Sequence, residues 1–520
     1  MNLGDQRMAI EEFPLDQAVL ADDPDKYFKT EHLRADLGSR TARGGVVTIV
    51  SQALRFVLSM VGTVILARLL TPQDYGLIGM VAVVTGFISI YKDLGLASAT
   101  IQRPTITAAQ ISTLFWINVA LSLVVTFVCI LVAPVLSWFY GESKLIWITI
   151  ASAFGFTLSG LAVQHEALLR RQMRFVVISL ISVLAMVTGY AVGILLAWNG
   201  YQYRALVFSQ LTLVATNTIG IFFVCRWRPG LPQRNTGVSS MIKFGGNFTG
   251  FSTINYFSRN LDNLLIGKVW GPFQLGLYNR AYQLMMLPID QINEPITSVA
   301  VPALSRLIDS PDAYRRAYLR IIEKIALITM PGVMLMIVTN DLIVSVMLGP
   351  KWHDVGPLLV VLGISGLVQP IGNTTGWLFI TQARTQRMFK LGMITGPITV
   401  VSILLGLHWG AIGVAIAYVC IRLSISDPLV YWFVGRKGPV RTKDFYVTMA
   451  PIAGASLAGG LACVAFRIWV NPANRLVGLA SCGAIMAVGT LLVLGLLPAG
   501  RRTLADLLKT FHLLRQKGEQ

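Results

Sequence analysis

Apolar runs about 20 residues long recur from residue 44 to residue 498, divided by short polar loops. As a helix rising about 1.5 Å per residue, such a run spans the roughly 30 Å hydrocarbon core of a bilayer. Within lipid every backbone N–H and C=O must be satisfied inside the segment, which leaves helices as the element such runs can form. Composition points the same way, with 54% hydrophobic and 13% charged residues, where soluble domains carry about 25% charged. The chain is expected to be an all-α polytopic membrane protein.

Set against their polar interruptions, the runs give fourteen spans, near 44–68, 76–97, 111–137, 145–164, 176–198, 204–224, 244–267, 277–300, 321–343, 356–380, 389–407, 410–434, 446–466 and 477–498. Lys and Arg test this map. Alternate loops together with both termini hold 31 of them, and the intervening loops hold seven (Arg68, Lys144, Arg204, Lys268, Lys351, Arg467 and Arg475). Cytoplasmic loops are the cation-rich ones, so both termini are expected in the cytoplasm. Loop placement of this kind explains the net charge of +18 without a nucleic-acid partner.

Residues 1–43 differ in kind, with nine acids against six Lys/Arg and no apolar segment behind a basic start. They read as an acidic, disordered cytoplasmic tail and not as a signal peptide. Residues 500–520 read as a basic tail with Leu504, Leu507, Leu508, Phe511 and Leu514 on one helical face, fit for a membrane surface or for a solvated helix. The five cysteines lie in or beside apolar runs without metal-ligand spacing, and the five histidines form no cluster. No phosphate-binding or dinucleotide fingerprint appears, so no cofactor and no metal are expected. His165 and Glu166 fall at a cytoplasmic helix end beside Arg170 and Arg171, where a structural role suits them best.

An internal repeat organises the spans. "LARLLTPQDYGL" (66–77) overlies "IGKVWGPFQLGL" (266–277) without a gap, matching Arg68 to Lys268, Pro72 to Pro272, Gly76 to Gly276 and Leu77 to Leu277. Gly45 likewise overlies Gly245. Six spans separate the copies and both run outward, which implies two parallel six-helix bundles related by an axis along the membrane normal. The units are then 44–235 and 236–440, with two extra helices in 441–499.

Four segments carry a family resemblance: "ILARLLTPQDYGLIGMV", "QRPTITAAQISTLFWIN", "ALLRRQMRF" and "NLDNLLIGKVWGPFQLGLYNRAYQLMMLP". Together, over roughly residues 40–440, the chain resembles the polysaccharide-transport family of bacterial Wzx-type flippases. That family belongs to the MOP superfamily, with the MATE drug exporters and the lipid II flippase. The resemblance implies a transporter of the bacterial inner membrane. It would carry polyprenyl-pyrophosphate-linked repeat units from the cytoplasmic to the periplasmic leaflet, for exopolysaccharide, capsule or O-antigen synthesis. A polysaccharide polymerase and chain-length proteins are the partners it implies, besides the lipid-linked oligosaccharide and membrane lipid.

Such a substrate joins a fluid apolar chain, a diphosphate and a large glycan. The diphosphate is the costly part to move through lipid, and Arg suits it through paired donors in a fixed fork. A charge at a helix centre costs about 2.5–3.5 kcal/mol on insertion scales, so charges at membrane depth are the candidate site residues. Arg55 and Arg259, one from each half, are the expected anion-binding pair, with Arg280 beside them. Asp262, Asp290 and Glu294 are candidates for proton or cation coupling, since Asp290 and Glu294 lie one helical turn apart. Plainer readings stand beside these. Arg259 and Asp262, at i and i+3, also suit a local ion pair, and Lys92 and Asp93 suit an interface. Arg422 and Asp427 complete the set of intramembrane charges.

Two other functions fit an apolar chain of this length. A MATE-like cation-coupled antiporter would share the fold but bind cations. A polysaccharide polymerase or ligase would need a sizeable external loop, which this map lacks.

Overall fold

The structure is a computed structural model that describes residue 28 and residues 37–90, 96–103, 105–233, 239–470, 472–498, 500–503 and 505–506. Within them it describes all side chains but those of 37–49, 98–99, 102, 239–255, 257–259, 294 and 385. Lys92, Asp93, the N-terminal tail before Leu37 apart from Phe28, and the apolar face of the C-terminal tail therefore lie outside the described residues, as do the side chains of Arg259 and Glu294.

The first unit runs through α1 (Leu37–Leu69), α2 (Pro72–Ser89), the short α3 (Leu96–Gln102), α4 (Ala108–Tyr140), α5 (Lys144–Arg171), α6 (Phe175–Trp198) and α7 (Tyr203–Val224). The second opens with the long, kinked α8 (Ser239–Ser305) and continues through α9 (Pro311–Val338), α10 (Asn340–Met347), α11 (Val355–Gly366) and α12 (Gln369–Thr381). It closes with α13 (Thr385–Gly406), α14 (Gly410–Ile421) and α15 (Asp427–Gly435), and α16 (Thr442–Val470) and α17 (Arg475–Leu496) follow. α1 begins at Leu37, inside the stretch assigned to the acidic tail.

Among the described residues ten helical segments are long and apolar enough to cross a membrane, one of them the 50-residue stretch Gln386–Gly435. Neither α2 nor the length of α8 that includes Asn260 and Arg280 is among them. The α8 segment turns amide and guanidinium side chains into an internal cavity, and that polarity lowers its hydropathy, whereas α2 opens on the polar run Pro72, Gln73 and Asp74.

The repeat seen in the sequence shapes the backbone. In the first copy the chain breaks between α1 and α2, where Thr71 caps α2 and exchanges hydrogen bonds with Asp74: Thr71 N–H donates to Oδ2 at 2.9 Å and Asp74 N–H to Oγ1 at 3.4 Å. Pro72 follows at the first helical position, where its missing N–H costs nothing. In the second copy the break is a kink at Gly271, held at φ 76°, and Pro272 starts the outgoing arm of α8. Only glycine adopts that φ without strain. α2 packs along α8, so the two copies meet face to face.

Three cores are the largest among the described residues. One sits at the end carrying these turns and draws on both units, with Ala67, Leu77, Met80 and Tyr140 against Ile266, Leu275, Tyr278 and Trp352. At the opposite end each unit has its own: Leu114, Phe115, Leu168 and Trp227 in the first, Tyr318, Trp377, Tyr431 and Phe445 in the second. The units are thus joined at one end and separately packed at the other. Polar bonds across the joined end add to the seal. Trp352 Nε1 donates to the carbonyl of Ala67 at 2.8 Å, Arg68 Nη2 to Val346 at 2.6 Å, and Lys351 Nζ to Leu69 at 3.1 Å. Lys268 bonds the carbonyl of Phe139 in the same region.

Candidate functional site

Between the units lies a cavity of about 780 Å³. Along α2 its lining runs from Tyr75 to Ser89, and across from it stand Asn260, Asn263, Asn279, Arg280 and Gln283 of α8. Ser152 and Ser159 of α5, Tyr190 of α6, and Ser209 and Gln210 of α7 complete the polar part of the wall. The lining therefore offers amides and hydroxyls, which can both donate and accept. Among the described residues Arg280 is its one charged side chain, and no carboxylate lines it.

Arg280 is held in place by two neighbours. Its guanidinium lies 3.8 Å from the ring centroid of Tyr75, a cation–π contact from the other unit. Its Nη1 donates to Gln283 Oε1 at 2.9 Å. No described acid pairs with it. A guanidinium stacked on an aromatic face has the planar fork of donors that suits an anion. A side chamber of about 230 Å³ joins the main cavity at Thr63, Arg280 and Gln283. Its other walls are mostly apolar, with Phe56 and Met60 of α1, Leu284 and Leu287 of α8, and Met347 at the end of α10.

A third cavity, of about 530 Å³, lies inside the second unit. Asp262, Asp290, Arg422 and Asp427 line it with Tyr278, Tyr282, Tyr418 and the hydroxyls of Thr395, Thr399 and Ser402. Arg422 Nη1 donates to Tyr418 Oη at 2.8 Å and to Gln369 Oε1 at 2.9 Å, and its Nε lies 3.4 Å from Asp427 Oδ2. On an α-helix, residues five apart stand about 140° from one another. Here residues 422–426 form a π turn, whose wider winding brings Arg422 and Asp427 to the same face.

The expected site residues separate on this frame. Arg280 reaches the central cavity. Arg55 is half-buried one turn from Ser59, and it lines neither the cavity nor the side chamber. Asp262, a coupling candidate, lines the cavity within the second unit and not the one between the units. Its Oδ2 accepts from Tyr278 Oη at 2.8 Å and its Oδ1 from the Asn263 N–H at 2.8 Å. Asp290 lines the same cavity. His165 is fully buried against Phe222, Trp227 and Phe115, with ring centroids 4.0, 5.1 and 5.6 Å away, and Glu166 pairs with Arg170 at 2.7 Å. Both are structural, although His165 is a core residue and not an interfacial one.

Charge alone did not point to Tyr75, Asn260, Asn263, Asn279 or Gln283. The signal for the four amides was their spacing, 260 to 263 and 279 to 283, each pair about one helical turn apart.

Two helical units around a central cavity, joined at one end, define the MOP type of transporter fold. The lipid II flippase MurJ in an inward closed conformation superposes with a TM-score of 0.65 at 13% identity, over 87% of this chain and 98% of that one. A multidrug resistance MATE family transporter of the MOP superfamily, in an inward-facing conformation, gives 0.58 at 14% identity, over 75% and 95%. These likenesses establish the fold alone. Residues 65–357 match the polysaccharide biosynthesis protein family, and the chain belongs to that Wzx-like family of the MOP superfamily. Among curated relatives, the lipopolysaccharide biosynthesis protein WzxC of Escherichia coli (strain K12) is 26% identical over 401 residues, 76% of this chain and 81% of its own length. The protein is a multi-pass membrane protein of polysaccharide biosynthesis, and the succinoglycan biosynthesis transport protein ExoT of Rhizobium meliloti (strain 1021) is 20% identical to it over 414 residues, 79% of this chain and 83% of its own length.

Proposed function

We propose that this protein flips polyprenyl-pyrophosphate-linked oligosaccharide repeat units from the cytoplasmic to the periplasmic leaflet of the bacterial inner membrane, serving exopolysaccharide, capsule or O-antigen synthesis. The supporting observation is the central cavity, with its wall of amides and hydroxyls, one stacked guanidinium and no described carboxylate. Sugar hydroxyls suit the amides, and the diphosphate suits Arg280. The apolar side chamber beside Arg280 leaves room for the first isoprene units, so that the rest of the chain stays in lipid.

In this reading the chain crosses the membrane fourteen times, with α2 and both arms of α8 among the crossings and both termini cytoplasmic. The end joined by the Pro72 and Pro272 turns is periplasmic. Transport proceeds by rocking the two six-helix units, residues 44–235 and 236–440, so that this end opens as the other closes. Arg55 and Arg259 add positive charge on α1 and α8, Arg259 being the residue before the cavity-lining Asn260. Asp262, Asp290 and Glu294 serve energy coupling, the first two through the cavity of the second unit. A polymerase and chain-length proteins receive the product.

A MATE-like antiporter for cationic compounds is the rival within the fold. A cavity with a guanidinium and no described carboxylate disfavours it, because a cation would meet like charge there. Polymerase or ligase activity is disfavoured by the short connections at the joined end, such as residues 141–143, 199–202 and 348–354. Deletion in the native host tests the proposal. Lipid-linked repeat units should accumulate on the cytoplasmic side, and unchanged glycan output without accumulation would refute it.

A further inference from the structure

A second site lies outside the transport cavity, on the opposite side of the seam between α5 and α7. There a surface groove of about 590 Å³ is lined by Trp147, Phe154 and Leu158 of α5 and by Phe208, Leu211 and Ala215 of α7. Its polar contribution is slight, Thr212 being the one hydroxyl on its wall. From Trp147 to Leu158 the groove follows about 16 Å of helix, close to the depth of one leaflet's hydrocarbon, about 15 Å.

Cations gather at its Trp147 end. The Arg204 guanidinium stands 5.8 Å from the Trp147 ring and 5.9 Å from Tyr203, and Lys144 Nζ stands 6.0 Å from the same Tyr203 ring. Both side chains are exposed. Glu142 is close in sequence, yet no described acid forms an ion pair with either cation. Lys144 and Arg204 are two of only seven Lys/Arg on the cation-poor side of the charge map, and the fold brings them together from different helices.

We infer that the α5–α7 groove binds an anionic phospholipid, with one acyl chain against Trp147, Phe154 and Phe208 and the phosphate between Arg204 and Lys144. An apolar channel one leaflet long under a pair of unneutralised cations complements a lipid that is apolar below and anionic above. Aromatic rings beneath the cations suit the headgroup boundary, where amphipathic side chains settle. Assignment to the outer leaflet rests on the orientation proposed above, whereas the binding itself does not. Leu211 lines both this groove and the central cavity, so the bound chain lies one side chain from the transport path.

The test uses the full-length protein in vesicles of phosphatidylcholine with brominated phosphatidylglycerol added at increasing fraction. Quenching that depends on Trp147, taken as the difference between the wild type and Trp147→Phe, should saturate at a low fraction of phosphatidylglycerol. Arg204→Gln with Lys144→Gln should require about tenfold more of it, the loss expected for one charge-assisted hydrogen bond. Ala215→Phe, which fills the groove and spares both cations, should weaken binding as well. Equal quenching by brominated phosphatidylcholine, or indifference to the paired cation substitution in protein that still elutes as a single species, would overturn the inference. Displacement of the quencher by polyprenyl phosphate at lower concentration would overturn it too, by assigning the groove to the transported lipid. None of these readings depends on flipping, so the site and the flippase proposal fail separately.

Discussion

Gly76 packs against the carbonyl of Pro272, and Gly276 packs against the carbonyl of Pro72. Each glycine of the repeat thus meets the proline that opens the other copy's helix. A Cβ built on Gly76 would lie 1.7 Å from Pro272 O, and one on Gly276 would lie 1.9 Å from Pro72 O. Both obstacles are backbone atoms, which cannot rotate aside. The contact is reciprocal, as an interface between two copies of one motif must be.

Gly76→Ala and Gly276→Ala should therefore push the two units apart at this end. Overpacking of this kind costs about 1–3 kcal/mol. Purified variants should unfold at lower temperature, and a cysteine introduced beside the turn should react faster with a membrane-impermeant thiol reagent. Unchanged stability and labelling in both variants would mean that the contact does not seal this end.

Trp352 closes the same end from α10's side, fully buried and donating to the carbonyl of Ala67 in the other unit. Trp352→Phe keeps most of the packing and gives up one cross-unit hydrogen bond, a loss of about 1 kcal/mol. Trp352→Ala adds a cavity and should cost about 3–5 kcal/mol. Thermal unfolding in detergent should rank them wild type, Phe, Ala, and a Phe variant as weak as Ala would reassign the main effect to the hydrogen bond.

Arg280→Ala should abolish export at normal expression, with lipid-linked units accumulating as in the deletion strain. Arg280→Lys keeps the charge but loses the fork and the planar stack on Tyr75, so it should retain partial activity. Tyr75→Leu should resemble the lysine variant, because it frees the guanidinium without removing it. Full export by Arg280→Ala would place the anion contact elsewhere.

Arg422 and Asp427 form the most enclosed ion pair in the fold among the described residues, with side chains 14% and 12% exposed. Asp427→Asn would leave the guanidinium without its counter-ion, which costs about 3–5 kcal/mol for a buried pair. Replacing both, as Arg422→Met with Asp427→Asn, should recover much of that loss. Denaturation of the wild type and the two variants checks it, and a double variant no better than the single one would show that Gln369 and Tyr418 depend on Arg422 as well.

Much of the architecture was legible in the chain. Run length and the Pro72/Pro272 repeat are local properties, readable residue by residue because lipid imposes the same backbone requirement on every segment. The cavity-lining length of α8 was harder to weigh, since it exchanges apolar surface for amides.

What the sequence by itself determined is a helical membrane protein of two repeated units, with its charges rare and therefore meaningful. Only the tertiary structure decided which way those charges face. Successive residues on a helix turn by about 100°, so a neighbour in sequence can serve a different space. Asn260 and Asn263 open onto the cavity between the units, while Asp262, between them in the chain, lines the cavity of the second unit beneath Tyr278. Helix rotation is set by packing against other helices, which no local reading of "NYFSRNLDNLLIGKVWGP" contains.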